Sequence, residues 1–172
     1  MDHSLPLDMT LNDGTVIHIR AIGPDDCCLL SQGFAQLSQD SRFMRFLGAH
    51  PTLSNAELDT YTAPSDTDHV AIGAMAGDVP VATARFVVMK DVTRAEIALT
   101  VVDAYQGKGV GSALLRTLAA IARERRITTF LALVHAENRP MRDLLRRFGA
   151  IRIRKEGTEE ELELDLNTLS SP

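Results

Sequence analysis

A chain of 172 residues, 45% of them hydrophobic, has the size of one domain with a single substantial core. Its 18 basic residues are outnumbered by 23 acidic ones, and no basic block is concentrated enough to wrap a phosphate backbone, which argues against a nucleic-acid partner. The two cysteines, Cys27 and Cys28, are neighbours that cannot close a loop, and no Cys/His cluster has the spacing of a metal site.

Signals for secretion or membrane insertion are also missing from the sequence. The N-terminus has neither the basic segment nor the continuous apolar segment of a signal peptide. No apolar run reaches the roughly 18 residues that a membrane span needs. We therefore expect residues 1–172 to form one domain that works in the cytoplasm, without a membrane partner.

The first third of the chain predicts one strand and three short helices. After the turn signal Asn12-Asp13-Gly14, residues 15–20 alternate apolar and polar side chains as a strand does. Apolar residues at helical spacing predict one helix over 24–37 and a second around 43–46. Ser54, with a glutamate three residues later, has the pattern of a capping box that starts a third helix.

The remaining two thirds predict mainly strands, the first three of which form an antiparallel meander because short turns join them. In chain order these elements are strands 69–75, 81–89 and 94–102, a helix from 112, a strand over 127–134, a helix over 138–149 and a hairpin of 151–155 with 161–166. The acidic run Glu159-Glu160-Glu161 is expected to form a turn and a solvated strand face.

The most informative motif is Gln106-Gly107-Lys108-Gly109-Val110-Gly111, which joins a predicted strand to a predicted helix. Its glycines allow a sharp turn and present several backbone N–H groups at a helix N-terminus, where a phosphate or pyrophosphate is favoured. A tight turn without any ligand has the same composition. A Walker A loop and a Rossmann fingerprint both fail, because no Gly-Lys-Ser/Thr follows and Ser112 stands where the last Rossmann glycine is needed.

This loop resembles the acetyl-CoA loop of the GNAT superfamily of N-acetyltransferases, Gln/Arg-x-x-Gly-x-Gly/Ala after a central strand, and the order of predicted elements agrees over essentially the whole chain. The resemblance implies an α/β (α+β) GNAT fold, with a mixed, mostly antiparallel sheet of six or seven strands, helices on both faces, and a splay at 96–102 that admits acetyl-CoA as the acetyl donor. The cofactor-binding residues that it implies are Leu99, Thr100, Val101, Gln106, Gly107, Lys108, Gly109, Val110, Gly111, Ser112 and Asn138.

Three segments, Leu37–Phe46, Ala95–Gly107 and Asn138–Arg142, resemble the catalytic domains of bacterial protein lysine acetyltransferases, a group that inactivates acyl-CoA synthetases. This resemblance implies transfer to a protein lysine, with an acyl-CoA synthetase as the protein substrate. It also implies that Glu96 is the general base that removes a proton from the attacking amine. From the residues alone, a glutamate on the solvent face of a strand is the simpler interpretation.

The roles of several further residues have two interpretations. Asn138 is either a contact to the CoA arm or a helix N-cap, and Arg142 either approaches the cofactor or is solvated. Backbone N–H groups around Val101 and Val102 are candidates for stabilising an oxyanion. Many GNAT enzymes place a tyrosine seven residues after the asparagine as a proton donor to the thiolate, but Leu145 stands there, so no general acid is predicted.

The amine acceptor is the least determined part of the prediction. Arg42 and Arg45 lie where the family builds part of the acceptor groove, although helix packing alone explains the neighbouring Phe43 and Phe46. A loop over 61–68 is expected to form another acceptor wall. A small-molecule amine or an antibiotic is therefore an alternative acceptor, and a CoA-binding sensor without turnover is an alternative function that has no use for Glu96.

Overall fold

The strands follow chain order across most of the sheet. The computed structural model describes residues 5–169, and its strands are β1 (Leu7–Thr10), β2 (Val16–Ala21), β3 (His69–Ala76), β4 (Val79–Val88), β5 (Arg94–Val101), β6 (Thr129–His135), β7 (Ile151–Glu156) and β8 (Glu159–Asp165). They form an eight-stranded sheet in the order β1-β2-β3-β4-β5-β6-β8-β7. Every neighbouring pair is antiparallel except β5 and β6. The mixed, mostly antiparallel sheet is thus confirmed.

The predicted number of strands, six or seven, is too low because β1 was not predicted. β1 has only four residues, and its register runs from Leu7 opposite Ile19 to Thr10 opposite Val16. The turn signal was correctly placed but joins two strands rather than preceding the first one. Gly14 adopts a φ of +84°, and the Leu11 N–H donates to the Thr15 carbonyl at 2.8 Å, which closes the hairpin.

Helices cover both faces of the sheet, as expected. They are α1 (Cys27–Ala35), α2 (Gln39–Phe46), α3 (Asn55–Tyr61), α4 (Val110–Glu124) and α5 (Arg139–Arg147). In β4, the Arg85 guanidinium lies 4.5 Å from the Tyr61 ring centre on α3, while the next side chain, Phe86, lies under Arg125 at the end of α4. Since successive strand residues point to opposite faces, α3 and α4 lie on opposite sides.

Helix ends agree closely with the sequence pattern. The Ser54 hydroxyl accepts from the Glu57 N–H, and the Glu57 carboxylate accepts from the Ser54 N–H at 2.8 Å, so the predicted capping box starts α3. The Asn138 side chain accepts from the Met141 N–H at 3.2 Å and caps α5. Within residues 5–169, no helix combines the length and the hydropathy needed to span a bilayer.

The sheet opens between its two central strands. β5 and β6 are paired over only three positions, which end at Glu96 opposite Leu131. Beyond that point β5 stays with β4 as far as Val101, while β6 stays with β8 as far as His135. The predicted splay after Glu96 is therefore present, and it leaves two free strand edges facing each other.

The acidic run differs from the expected solvated face at Glu160, whereas Glu159 and Glu161 on the other face of β8 are half-buried. Glu160 has a side chain only 2% exposed, with Arg142 at 2.9 Å and Arg152 at 3.0 Å. Burial opposes its ionisation, but the hydrogen bond from Arg152 and the charges of Arg142, Arg152 and Lys155 outweigh burial and hold the pKa of Glu160 below its usual value of 4.5. Arg142, expected near the cofactor or in solvent, instead ties α5 to the last hairpin.

We expect Glu160→Gln to lower the free energy of unfolding by about 3 kcal/mol, because it leaves two partly buried guanidinium groups without their carboxylate. Glu156→Gln, in the same hairpin but with a side chain 75% exposed, is the matched control and should change stability little. Urea unfolding monitored by circular dichroism measures both variants.

The pH dependence of this difference has a defined sign. Because folding lowers the pKa of Glu160, its contribution is complete above about pH 4.5 and is lost as the pH falls below that value. A stability difference between wild type and Glu160→Gln that grew on acidification would contradict the assignment.

Candidate functional site

A long cleft fills the opening between β5 and β6. Its volume is about 1160 Å³, and its walls come from both free strand edges, the glycine loop, the first turns of α4 and α5, part of α2 and the segment around Asn12. Val101 lies at the end beside the glycine loop, and Glu96 lies at the closed end, where the strands separate. These two residues are five steps apart along the strand, which corresponds to roughly 17 Å.

The edge of β5 offers backbone hydrogen-bond groups to the cleft. The Val102 N–H donates to the Val81 carbonyl at 2.9 Å, on the β4 side. Since N–H groups alternate in direction along a strand, those of Leu99 and Val101 point away from β4 and into the cleft. Of the two residues proposed as oxyanion donors, only Val101 therefore has an available N–H, because that of Val102 is already used.

Thr100 differs from its two neighbours. Its backbone is directed at β4, and its hydroxyl accepts a hydrogen bond from Arg45 Nε at 3.0 Å on the α1–α3 face of the sheet. The three consecutive residues predicted to bind the cofactor therefore face different ways: Leu99 and Val101 present backbone groups to the cleft, and Thr100 presents a side chain to α2.

The glycine loop has the conformation that its composition predicts. Gly107 and Gly109 adopt φ angles of +74° and +97°, in the left-handed region that side chains disfavour, and Gly109 is the N-cap of α4. The N–H groups of the first helical turn, which includes Val110 and Ser112, have no intrahelical partners and favour an anion. The side chain of Val110 is buried, so only its backbone faces the loop.

Gly111 serves a different purpose from the other two. A Cβ atom there would lie 3.1 Å from Leu144 Cδ2, with Leu99 and Val101 side chains next nearest. Its missing side chain therefore allows α4 and α5 to approach each other over β5. This packing requirement was hidden in the sequence, where all three glycines looked alike.

Lys108 connects the glycine loop to the first hairpin. Its Nζ lies 3.0 Å from an Asp13 carboxylate oxygen and 5.0 Å from the centre of the Tyr105 ring. Hydrogen bonds from Thr15, the backbone N–H first, and from Lys108 lower the pKa of Asp13 to about 2. The turn between β1 and β2 is therefore part of the site, which sequence reasoning did not detect because nearly a hundred residues separate the two segments.

A second connection fixes the other side of the loop. The Asp103 carboxylate accepts from the Ser38 N–H at 3.0 Å and from the Ser38 and Ser41 hydroxyls at 2.8 Å, which docks the N-terminus of α2. Burial opposes ionisation, but these hydrogen bonds prevail and lower the pKa of Asp103. Gln106 donates to the Val101 carbonyl at 3.1 Å, so its side chain bonds to the protein itself.

Glu96 is exposed at the closed end of the cleft. It lies opposite Val87 and beside Leu131, on the α1–α3 face of the sheet. Three other exposed carboxylates line the same cleft, those of Asp40, Glu137 and Asp143. Glu137 lies at the rim just after β6 and was not singled out from the sequence.

The two arginines assigned to an acceptor groove have separate roles. Arg42 donates to the Pro51 and Ala35 carbonyls at 2.9 and 3.2 Å and stacks on Phe34, so it ties helices together and does not line the cleft. Only Arg45 reaches the sheet. Phe46 stacks on His50 at 3.9 Å between ring centres, which confirms helix packing for that residue, whereas Phe43 remains 41% exposed.

These features together suit a ligand that has phosphate at one end and an amide-containing arm. The amides of the loop suit the phosphate end, where the Asp13-paired Lys108 also lines the cleft. The free backbone of β5 provides hydrogen bonds along the arm, and a carboxylate lies where the arm would end. The residues present therefore fit acetyl-CoA.

Comparison with known proteins gives the same result. Residues 34–150 match the acetyltransferase (GNAT) family. The chain is 32% identical over 157 residues to acetyltransferase Pat of Mycolicibacterium smegmatis, which covers 88% of this chain but 46% of that protein. It is 30% identical over 146 residues to acetyltransferase PA5475 of Pseudomonas aeruginosa, covering 83% of this chain and 78% of that protein.

A solved structure extends this likeness to three dimensions. The GNAT domain of S. lividans PAT has a TM-score of 0.89 and 34% sequence identity, over 93% of this chain and 96% of that domain. The chain thus spans less than half of the M. smegmatis relative, but nearly all of the S. lividans domain. On the evidence of its sequence, its sheet and its cleft, the chain belongs to the GNAT family of acetyltransferases, whose acetyl donor is acetyl-CoA.

Proposed function

We propose that the chain transfers the acetyl group of acetyl-CoA to the side-chain amine of a protein lysine, with Glu96 as the general base. The observation that carries this proposal is the position of Glu96: an exposed carboxylate at the closed end of the cleft, beyond the free edge of β5. The likeness to two proteins named Pat or PAT supports a protein acceptor, and an acyl-CoA synthetase is the proposed partner.

Each part of the cleft has a proposed task toward the donor. The N–H groups around Gly107, Gly109 and the first turn of α4, with the side chain of Lys108, bind the phosphates. Leu99 and Val101 bind the arm through their backbone groups. Gln106 and Asn138 contribute by holding the loop and the start of α5 in place. Acetyl-CoA supplies an acetyl group that is activated as a thioester.

The reaction also needs the amine of the acceptor lysine in its uncharged form. A lysine ammonium with an ordinary pKa of about 10.4 is almost fully protonated at neutral pH and cannot attack a thioester. Glu96 accepts that proton, directly or through a water molecule. The Val101 N–H also points into the cleft, but it lies five positions along β5 from Glu96, so it is placed to bind the arm of the donor and not the oxygen that gains charge during the attack. As the amine bonds to the thioester carbon, the carbon–sulfur bond breaks and coenzyme A leaves as a thiolate.

We also propose that residues 1–172 act as a single GNAT domain in the cytoplasm. The described residues share one sheet, and both cysteines are free thiols, as a reducing compartment maintains them.

Gly109→Asp should weaken CoA binding about 10- to 100-fold, because it adds a side chain and a negative charge where the phosphates are proposed to bind. The matched control is Gly77→Asp in the β3–β4 turn, which has a positive φ and open space but lies far from the cleft. Isothermal titration calorimetry measures both affinities. Equal affinities for the two variants would remove the phosphate assignment. Gly111→Asp is avoided because its Cβ would lie 3.1 Å from Leu144 Cδ2, so the variant would test packing as well as phosphate binding.

Glu96→Gln should lower kcat by about 10²–10⁴ with little change in acetyl-CoA affinity, because it keeps size and hydrogen bonding but loses basicity. The deficit should shrink at high pH, where more of the amine is already neutral. Glu137→Gln, the same chemical change on the cleft rim, is the control and should retain most activity. If Glu137→Gln is the variant that loses kcat, the base has been misassigned.

With labelled acetyl-CoA, the chain should acetylate lysines of an acyl-CoA synthetase from its own organism, and mass spectrometry should locate them. Glu96→Gln provides the background. Rapid turnover of polyamines or aminoglycosides, with no label on any protein, would favour a small-molecule acceptor. Tight CoA binding without turnover of any amine would favour a sensor.

A further inference from the structure

The carboxylate of Asp13 lies between the first hairpin and the glycine loop. Its Oδ1 accepts from the Thr15 N–H at 3.0 Å, inside the turn that joins β1 and β2, and its Oδ2 lies 3.0 Å from Lys108 Nζ. Asn12, the preceding residue, lines the cleft, and its side-chain nitrogen would lie 3.8 Å from a Cβ atom at Gly109. The turn is therefore packed against the loop at which the phosphates are proposed to bind.

Both members of this ion pair are held in place, unlike those of most surface pairs. The turn is closed by the backbone hydrogen bond between Leu11 and Thr15, and the hydrogen bond from the Thr15 N–H orients the carboxylate. The ammonium of Lys108 lies 5.0 Å from the centre of the Tyr105 ring, which also lines the cleft. Hydrogen bonds from Thr15 and then from Lys108 lower the pKa of Asp13 to about 2, so the carboxylate is charged at neutral pH.

The charge of Lys108 is thus shared between two kinds of anion. A phosphate at the N-terminus of α4 attracts the ammonium, but the ammonium already has a carboxylate at hydrogen-bond distance. The phosphates of acetyl-CoA are also those of the product, coenzyme A. A contact to a group that substrate and product share strengthens the binding of both, and tight product binding slows release. A weakened phosphate contact therefore favours turnover.

We infer that Asp13 lowers the affinity of the cleft for acetyl-CoA and coenzyme A by pairing with Lys108 in competition with their phosphates. Resting on the proposed function, this inference concerns the strength of the phosphate contact and not the identity of the donor. The backbone amides of the glycine loop bind the phosphates, whereas Lys108 contributes only the part of its charge that Asp13 leaves uncompensated.

Asp13→Asn tests the inference, because asparagine keeps an oxygen that accepts from the Thr15 N–H but has no charge to pair with Lys108. Isothermal titration calorimetry should show that coenzyme A binds about 3- to 10-fold more tightly, and this gain should shrink in about 1 M salt. The matched control is Asp91→Asn. The Asp91 carboxylate accepts from the Thr93 N–H at the same 3.0 Å, but in the β4–β5 turn beyond the closed end of the cleft, so its affinity should equal that of the wild type.

Lys108→Met separates the role of the lysine from direct repulsion by the carboxylate. Alone, it should weaken the binding of coenzyme A. In that background, Asp13→Asn should give a much smaller gain than it gives when the lysine is present. Equal gains with and without the lysine would overturn the inference, because the carboxylate would then act on the phosphates directly.

Dephospho-coenzyme A, which lacks the 3′-phosphate, identifies the phosphate that competes with Asp13. A gain that Asp13→Asn retains with this ligand assigns the pyrophosphate, and a gain that it loses assigns the 3′-phosphate. Unchanged or weaker binding of coenzyme A to Asp13→Asn would overturn the inference, since Asp13 would then have no effect or would position Lys108 for the phosphates. If Gly109→Asp still weakened binding in that case, the phosphate site of the proposed function would stand.

Discussion

The unsatisfied backbone between β5 and β6 is the constraint on which the rest of the structure depends. A strand edge inside a protein must find partners for its N–H and C=O groups, from water, another segment or a ligand. Here the parallel pairing ends after three positions, and the two strands then follow different neighbours. At Gly111, α4 passes close to Leu144 of α5 and to the side chains of Leu99 and Val101 on β5. The same unpaired backbone groups therefore mark the opening in the sheet and offer hydrogen bonds to the acetyl donor.

The two faces of the sheet carry different charged and polar groups. On one side, the amide-rich loop and the N-terminus of α4 favour phosphates, and Lys108 beside them is paired with Asp13. On the other, Glu96 lies beside Arg45 and Arg85 without forming an ion pair with either. The separation matters because a carboxylate intended to accept a proton would lose basicity if it were paired directly with a guanidinium.

Local features were predictable from the sequence, and long-range pairings were not. The sharp turn of the glycine loop was predicted, and a helix cap was one of the two interpretations of Asn138, because the causes of both lie within a few residues. β1 was missed since four residues carry too little alternation to be distinguished from a loop. Glu160 and Arg42 were misjudged because their partners depend on how distant segments pack.

The place of β8 has a consequence for how the chain acquires its fold. Within residues 5–169, β8 is the last strand, yet it lies between β6 and β7, so β7 has no strand neighbour in this sheet until β8 is in place. It also supplies Glu160, whose carboxylate pairs with Arg142 and Arg152, two residues that are synthesised earlier. During synthesis from the N-terminus, the wall of the cleft formed by α5 therefore stays incomplete until this strand leaves the ribosome. A nascent chain thus has its phosphate loop well before it has a closed binding site.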